Sequence, residues 1–308
     1  MSYTTKVKEE IIKKQLVKSE SIAELSGFVR NNGYISNNEL HLTTENKNIL
    51  EKLKKTFKNL YELDLKEEIK SNRNFSKNDL YLLSILDKKD LILRDLGYYD
   101  EDNNYLEIPP EYIVDSTEEI RAYLRGVFLS SGSINDPQTS RYHMELHIEK
   151  AKEAVFVQKL LNMFELNIKM LTRDRVYMLY IKEAERISDF LKILDAPNAV
   201  MYFENIRVYR DKKNQANRLN NCEQANMDKI VSSATKQLEY IEIIEDNMGV
   251  SLLDDKTKEA LEYRKKYPES SLKELSEIIT IETGNKITKS GLNHRFRKIK
   301  DLALKFKK

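Results

Sequence analysis

IAELSGFVRNNGYI (Ile22–Ile35) and IRAYLRGVFLSSGSI (Ile120–Ile134) decide the fold, because they are two copies of one pattern set 99 residues apart. Each has apolar residues at helical spacing and a glycine in its middle, Gly27 or Gly126. A second glycine stands six residues later, Gly33 or Gly132, where a helix C-cap is expected. A mid-helix glycine costs about 1 kcal/mol against alanine, so two at matching places need a reason. Close approach of two helix backbones supplies one, since no Cβ stands between them. The pattern predicts that these helices pack on each other around a pseudo-two-fold axis, with Gly27 and Gly126 at the interface.

The repetition extends past each copy. The first continues with the alternating ELHLTT (Glu39–Thr44), helical NKNILEKLKKTFKNL, strand-like YELDLKEEI and DLYLLSIL, and short helical KKDLILRDLG. The second continues with RYHMELHIEK, KEAVFVQKLLNMF, LNIKMLT, VYMLYIK and EAERISDFLKIL. The order is α-β-β-α-β-β-α, twice, which predicts a duplicated α+β domain over residues 1–195 with repeats at about 19–98 and 117–195. Period-2 alternation puts Arg141, His143, Glu145, His147 and Glu149 on one strand face and Tyr142, Met144, Leu146 and Ile148 on the other. Glu39, His41 and Thr43 share a face in the first copy. These faces are mixed in sign. His143 and His147 with Glu145 have the donor types of a metal site, but a polar sheet face is the default reading, and no metal is expected.

Beyond Pro197 the pattern turns helical. Residues 196–246 read as a helical linker, one long helix or two broken near Asn220–Asn221. Arg207, Arg210, Lys212, Lys213 and Arg218 face only Asp211 as an acid there, and are read either as a second phosphate-contacting patch or as a solvated linker face. Residues 247–308 predict an all-α domain of three helices. The first runs from about Asp255 and stops before Pro268. Ser270 or Ser271 caps the second, with Glu274 in capping-box register. After a turn at Gly284–Asn285, the third begins at Thr288 or Ser290 with an apolar stripe of Leu292, Phe296, Ile299, Ala303 and Phe306.

A short helix, a turn and a second helix with a basic polar face form a helix-turn-helix, whose last helix enters the major groove. Lys289, Ser290, Asn293, His294 and Arg297 are expected to face DNA, with Lys286, Arg295, Lys298 and Lys300 on or near its backbone. Asn can pair with adenine and Arg with guanine. The charge is distributed accordingly. The whole chain of 308 residues carries a net +2, but Lys286–Lys308 holds nine cations against Asp301 alone, leaving the remainder at −6. Such an asymmetry points to a polyanionic partner for the tail.

Composition excludes other classes. No apolar run reaches the about 18 residues of a membrane span, and the N-terminus lacks the apolar core of a secretory signal. Cys222 is the single cysteine, so no internal disulfide forms. There is no P-loop, Rossmann fingerprint or zinc spacing, and no cofactor is expected. The expected setting is the cytoplasm, at the nucleoid.

LSGFVRNNG (Leu25–Gly33) and LRGVFLSSG (Leu124–Gly132) resemble the paired LAGLIDADG helices of homing endonucleases. That resemblance implies an interface of the two helices and a metal-binding acid at the eighth motif position. Here those positions are Asn32 and Ser131, neither a carboxylate. A hard cation such as Mg²⁺ needs charged oxygens, so nuclease chemistry is not expected. Asp136 lies just beyond the second motif, but the first has Asn37 at the matching place. A degenerate LAGLIDADG-like domain joined to a helix-turn-helix resembles the WhiA family of sporulation and cell-division regulators of Gram-positive bacteria. The most specific stretches are NRLNNCEQANMDKIVSSATKQLEYI (Asn217–Ile241), YPESSLKELSEII (Tyr267–Ile279) and ITKSGLNHRFRKI (Ile287–Ile299). The resemblance implies a non-enzymatic transcription factor that binds double-stranded promoter DNA through its C-terminal module. Two alternatives stand beside it: an adaptor whose duplicated domain binds a protein partner, and an active homing-type endonuclease.

Overall fold

The structure, a computed structural model, describes residues 1–70, 79–139 and 141–306; Lys307 and Lys308 of the basic tail lie outside the described residues. The chain divides into two compact units, Met1–Arg210 and Asp211–Lys308.

The first unit opens with α1 (Tyr3–Ile11), then the first repeat: α2 (Lys18–Asn32), β1 (Tyr34–Ser36), β2 (Glu39–Thr44), α3 (Lys47–Tyr61), β3 (Lys66–Lys70), β4 (Leu80–Ile85) and α4 (Lys89–Asp95). The second repeat is α5 (Thr117–Ser131), β5 (Gly132–Ile134), β6 (Met144–Ile148), α6 (Ala151–Met163), β7 (Lys169–Arg173), β8 (Val176–Ile181) and α7 (Ala184–Ile193). The two antiparallel sheets have matching orders, β1-β2-β4-β3 and β5-β6-β8-β7. The duplicated α-β-β-α-β-β-α order is present. Alternation does what the sequence implies: Leu40, Leu42, Met144, Leu146 and Ile148 are buried, while His41, Thr43, Glu145 and His147 turn away from the core. Side-chain caps start two of these helices. Asn46 accepts from the amides of Asn48 and Ile49 at α3, and Ser116 with Glu119 forms a capping box at α5.

Helices α2 and α5 touch backbone to backbone. A Cβ at Gly126 would lie 1.9 Å from the carbonyl oxygen of Glu24, and one at Gly27 would lie 2.2 Å from that of Tyr123. Only glycine fits either place. Gly33 and Gly132 do end the helices, but with φ of −76° and −83°, not in the left-handed form usual for a C-cap glycine. Their reason is space: a Cβ at Gly132 would sit 2.1 Å from the Phe128 ring, and one at Gly33 would sit 2.7 Å from the Val29 carbonyl oxygen. The seam also holds a buried charge network. Arg125 donates to Glu24 at 3.2 Å and to Asp195 at 3.3 Å, and Lys52 lies 3.8 Å from Glu24. Burial pushes the Glu24 carboxyl up, against the pull of Lys52 and Arg125.

Helix α8 (Pro197–Asn247) runs 51 residues without a break at Asn220–Asn221. It begins in one core and ends in the other: Ala199 and Phe203 pack in the first unit, Ile241 and Ile244 in the second. The helical stretch expected as a linker therefore contributes to both cores, and it is residues 211–229 that are exposed throughout. The second unit adds α9 (Asp255–Lys266), α10 (Leu272–Thr283) and α11 (Lys289–Ala303) around Leu261, Leu275, Ile279, Leu292, Phe296 and Ile299. Each such side chain contributes about 1.5–3 kcal/mol by leaving water. The stripe on the last helix stops at Ala303. Phe306 lies past the helix end and is 42% exposed, a correction to the longer stripe expected from spacing.

Candidate nucleic-acid interface

Local chemistry fixes each end of the three-helix unit. Asp254 caps α9 by accepting from the Thr257 amide at 3.0 Å. Ser271 and Glu274 form the capping box at α10, and Gly284, with φ of 72°, closes that helix in the left-handed conformation. The Thr280 hydroxyl accepts from the Ile287 amide at 3.1 Å, which holds the turn before α11. Thr288 then caps α11, its hydroxyl accepting from the Gly291 amide at 3.1 Å.

At about 100° per residue, the buried Leu292, Phe296, Ile299 and Ala303 leave three other faces on α11. Ser290, His294 and Arg297 point opposite the core and are exposed. Lys289, Asn293 and Lys300 form one flank. On the other flank Arg295 and Lys298 are committed to the neighbouring helix. Arg295 donates to the Lys256 carbonyl at 3.0 Å and to Glu259 at 2.8 Å, and is only 19% exposed at its side chain. Lys298 pairs with Asp254 at 2.5 Å, and that hydrogen bond, with one from Thr257, holds the Asp254 carboxyl well below the usual range. These two cations, expected near a DNA backbone, anchor α11 on α9. Among the described residues, Lys286, Lys289, Arg297 and Lys300 have no acidic partner.

The second group of cations does not form one face. Arg207 pairs with Glu204 at 2.7 Å, and Arg210 donates to the carbonyls of Pro137 and Thr139 and lies 4.4 Å from the Tyr142 ring centre. Both are held within the first unit. Lys212, Lys213 and Arg218 are exposed, but helical rotation sends them to different sides of α8.

At Asn32 and Ser131, where the resemblance implies a metal-binding acid, the side chains are turned to structural use. The Asn32 amide oxygen accepts from the Thr43 amide at 2.7 Å, and its Nδ2 donates to the Thr43 hydroxyl at 3.3 Å. Ser131 Oγ donates to the Val127 carbonyl of its own helix at 3.3 Å. Asp136 accepts from the Tyr202 hydroxyl at 3.2 Å and the Gln138 amide at 2.9 Å. Helix α1, which sequence pattern alone does not single out, lies beside them. Its Thr4 hydroxyl exchanges hydrogen bonds of 2.9 Å with Ile134, and its Lys8 ammonium sits 5.5 Å from the Phe128 ring centre. Lys8 shares a hollow of about 790 Å³ with Asn32 and Ser130, and burial brings its amine down to about 8. On the open sheet face, His143 and His147 lie 2.8 and 3.3 Å from Glu145. Burial pushes that carboxyl up, yet the two imidazoles hold it below the usual value. No group of three or more His, Cys, Asp or Glu among the described residues is placed to hold a metal ion. No helix among them is long and apolar enough to cross a membrane.

Fold and site together define a two-part protein: a LAGLIDADG-like duplicated domain followed by a helix-turn-helix. Three family descriptions match successive parts of the chain: the WhiA N-terminal LAGLIDADG-like domain over residues 18–99, the WhiA LAGLIDADG-like domain over 120–213, and the WhiA C-terminal HTH domain over 216–303. The chain belongs to the WhiA family. It is 38% identical over 312 residues to a probable cell division protein WhiA of Lactiplantibacillus plantarum, covering 100% of this chain and 99% of that one. The counterpart from Pediococcus pentosaceus is 37% identical, with full coverage of both. The crystal structure of full-length DUF199/WhiA from Thermatoga maritima superposes with a TM-score of 0.60 at 22% identity, covering 99% of this chain and 98% of that one, a likeness of fold.

Proposed function

We propose that this chain is a sequence-specific DNA-binding transcriptional regulator of cell-division and sporulation genes, without nuclease activity. The observation that carries the reading is the outward face of α11, where Ser290, His294 and Arg297, flanked by Lys289, Asn293 and Lys300, are exposed on a frame fixed by three capped helices. Ser290, Asn293, His294 and Arg297 reach base edges in the major groove. Lys286, Lys289 and Lys300 meet phosphates. Arg295 and Lys298 act mainly by holding α11 on α9. Relatives named as probable cell division proteins support the process assigned. The protein works in the cytoplasm, at the nucleoid.

The test is binding of the full chain to genomic promoter fragments across a salt series. Selective binding that weakens steeply with salt, and loses its selectivity in Asn293→Ala or Arg297→Ala, supports the reading. Binding with no sequence preference refutes it. Plasmid cutting that needs Mg²⁺ and stops with chelator would revive the endonuclease reading, against the internal hydrogen bonds of Asn32 and Ser131. A protein partner for the duplicated domain is favoured by one feature, an apolar groove of about 750 Å³ beside α6 lined by Ile108, Val155, Phe156 and Met163. A partner retained by the full chain but lost in Val155→Glu would establish it.

A further inference from the structure

Away from the outward face of α11, the second unit holds a hollow of about 330 Å³ where four helices converge. Lys229 and Ser233 of α8, Ser271 and Lys273 at the start of α10, and Lys289 at the start of α11 line it. Three lysines from three elements line one small space. Lys229 and Lys289 have no acidic partner among the described residues, and Lys273 has only Glu277, four residues on, at 4.0 Å. Such a cluster is self-repelling unless an anion joins it.

Two further features point to an anion. The first turn of α10 opens on the hollow. Its capping box satisfies the amides of Ser271 and Glu274, which leaves those of Leu272 and Lys273 at the positive end of a 12-residue helix. Behind them lies Arg264, only 1% exposed and part of the same lining. Its Nη1 donates to the carbonyls of Tyr267 and Ser270, at 3.3 and 2.5 Å, but its Nε–H has no acceptor. A buried guanidinium, short of one acceptor, sets a positive charge behind three lysines and a helix N-terminus, which together suit a tetrahedral, multiply accepting anion.

We propose that this hollow seats one phosphate of the DNA backbone, so that the contact made by α11 continues onto the start of α10 and onto α8 at Lys229. The proposal rests on the DNA-binding reading above. A phosphate there fixes register and orientation and carries no sequence information. It adds Lys229 and Lys273 to the contact, with the charge of Arg264 behind them, and the helical pattern of α11 could indicate none of these.

The experiment uses the full chain and two DNA duplexes, one preferred and one unrelated, with affinity measured across a salt series. K229Q/K273Q is expected to lower affinity roughly tenfold on both duplexes at low salt, and to reduce the slope of log K against log salt by about 1. Both lysines are exposed, so circular dichroism is expected to match the parent. As a second variant, N226D, which sets a carboxylate in the same lining, is expected to weaken both duplexes without lowering the melting temperature. If the parent binds DNA and both variants keep its affinity and slope, the seat is wrong and the regulator reading stands. Loss confined to the preferred duplex also overturns it, because a backbone contact does not discriminate. If the parent binds no DNA, both readings fall.

Discussion

Replacing Gly126 by alanine tests the backbone contact on which the duplicated domain is built. The new methyl would stand 1.9 Å from the Glu24 carbonyl oxygen and 2.7 Å from the Phe28 amide nitrogen. To reach even 3.0 Å, α2 and α5 must part by at least about 1 Å, and a gap of that size forfeits about a quarter to a half of each facing dispersion contact. Phe28, Tyr123 and Val127 are the buried side chains that would lose them. Overpacking against a side chain costs about 1–3 kcal/mol. Here the obstacle is backbone, which cannot rotate aside, so the gross cost is about 3–4 kcal/mol, offset by about 1 kcal/mol of helix propensity. The net loss is about 2–3 kcal/mol. With a urea dependence of about 2–3 kcal/mol/M, the unfolding midpoint of the first unit falls by about 1 M. Circular dichroism in urea reads the midpoint, and amide exchange of α2 and α5 assigns it to this seam, since two units need not unfold together. An unchanged midpoint with unchanged protection of both helices would refute the backbone contact. Gly284→Ala is the control: a Cβ there meets nothing within 4 Å, and only its φ of 72° is at issue. It is expected to cost about 1 kcal/mol and to leave α2 and α5 untouched.

The two arginines of α11 are expected to part company. Arg295→Ala loses its bonds to Glu259 and Lys256 and destabilises the second unit by about 1–2 kcal/mol in thermal melts; Arg297→Ala leaves the melt alone and costs DNA selectivity, and the reverse pattern would sink the assignment. Arg125→Met strands the buried Glu24 with Lys52 alone and costs about 3–5 kcal/mol. Because burial raises that carboxyl above its unfolded value and removal of Arg125 raises it further, the native state binds the extra proton as pH falls and the deficit shrinks; urea midpoints of parent and variant that do not converge as pH is lowered would contradict it. Lys8 is depressed to about 8, so in the window from about 8 up to its ordinary 10.5 the unfolded chain binds more protons. Stability therefore rises with pH across that window in the parent relative to Lys8→Met, which is the more stable of the two at pH 7; a flat difference between the two urea series would overturn this.

Much of this architecture was legible because two periodicities and two glycines carry it. Strand alternation marks Leu40, Leu42, Met144 and Leu146 as inward, and nothing in the tertiary structure opposes them. Gly27 and Gly126 were readable because a mid-helix glycine has few other uses. Gly33 and Gly132 were placed correctly but for another reason, since a clash with Phe128 or Val29 belongs to packing and not to local sequence. The candidate interface was legible along α11 and not across it. Helical spacing gives faces, but it cannot tell which flank meets α9, so Arg295 and Lys298 read like Arg297. Lys229 and Lys273 are 44 residues apart in sequence, and only the meeting of α8 with α10 relates them. The part played by α1 had no signal beyond a short apolar stripe at Tyr3, Val7 and Ile11.

That stripe has a consequence for the order of events on the ribosome. Helix α1, which precedes both repeats, is fastened to the last parts of its unit: the Tyr3 hydroxyl donates to the Ala199 carbonyl at 3.0 Å, and Glu10 accepts from the amides of Asn198 and Ala199 at 2.7 and 3.0 Å. Helix α1 can meet α3 and β5 earlier in synthesis, but its bonds to residues 198–199 wait until nearly the whole unit that follows it has been made. The first repeat can form its sheet early, but it cannot be sealed before the second is complete. Such long-range closure slows folding and exposes the intermediate to aggregation and chaperone capture.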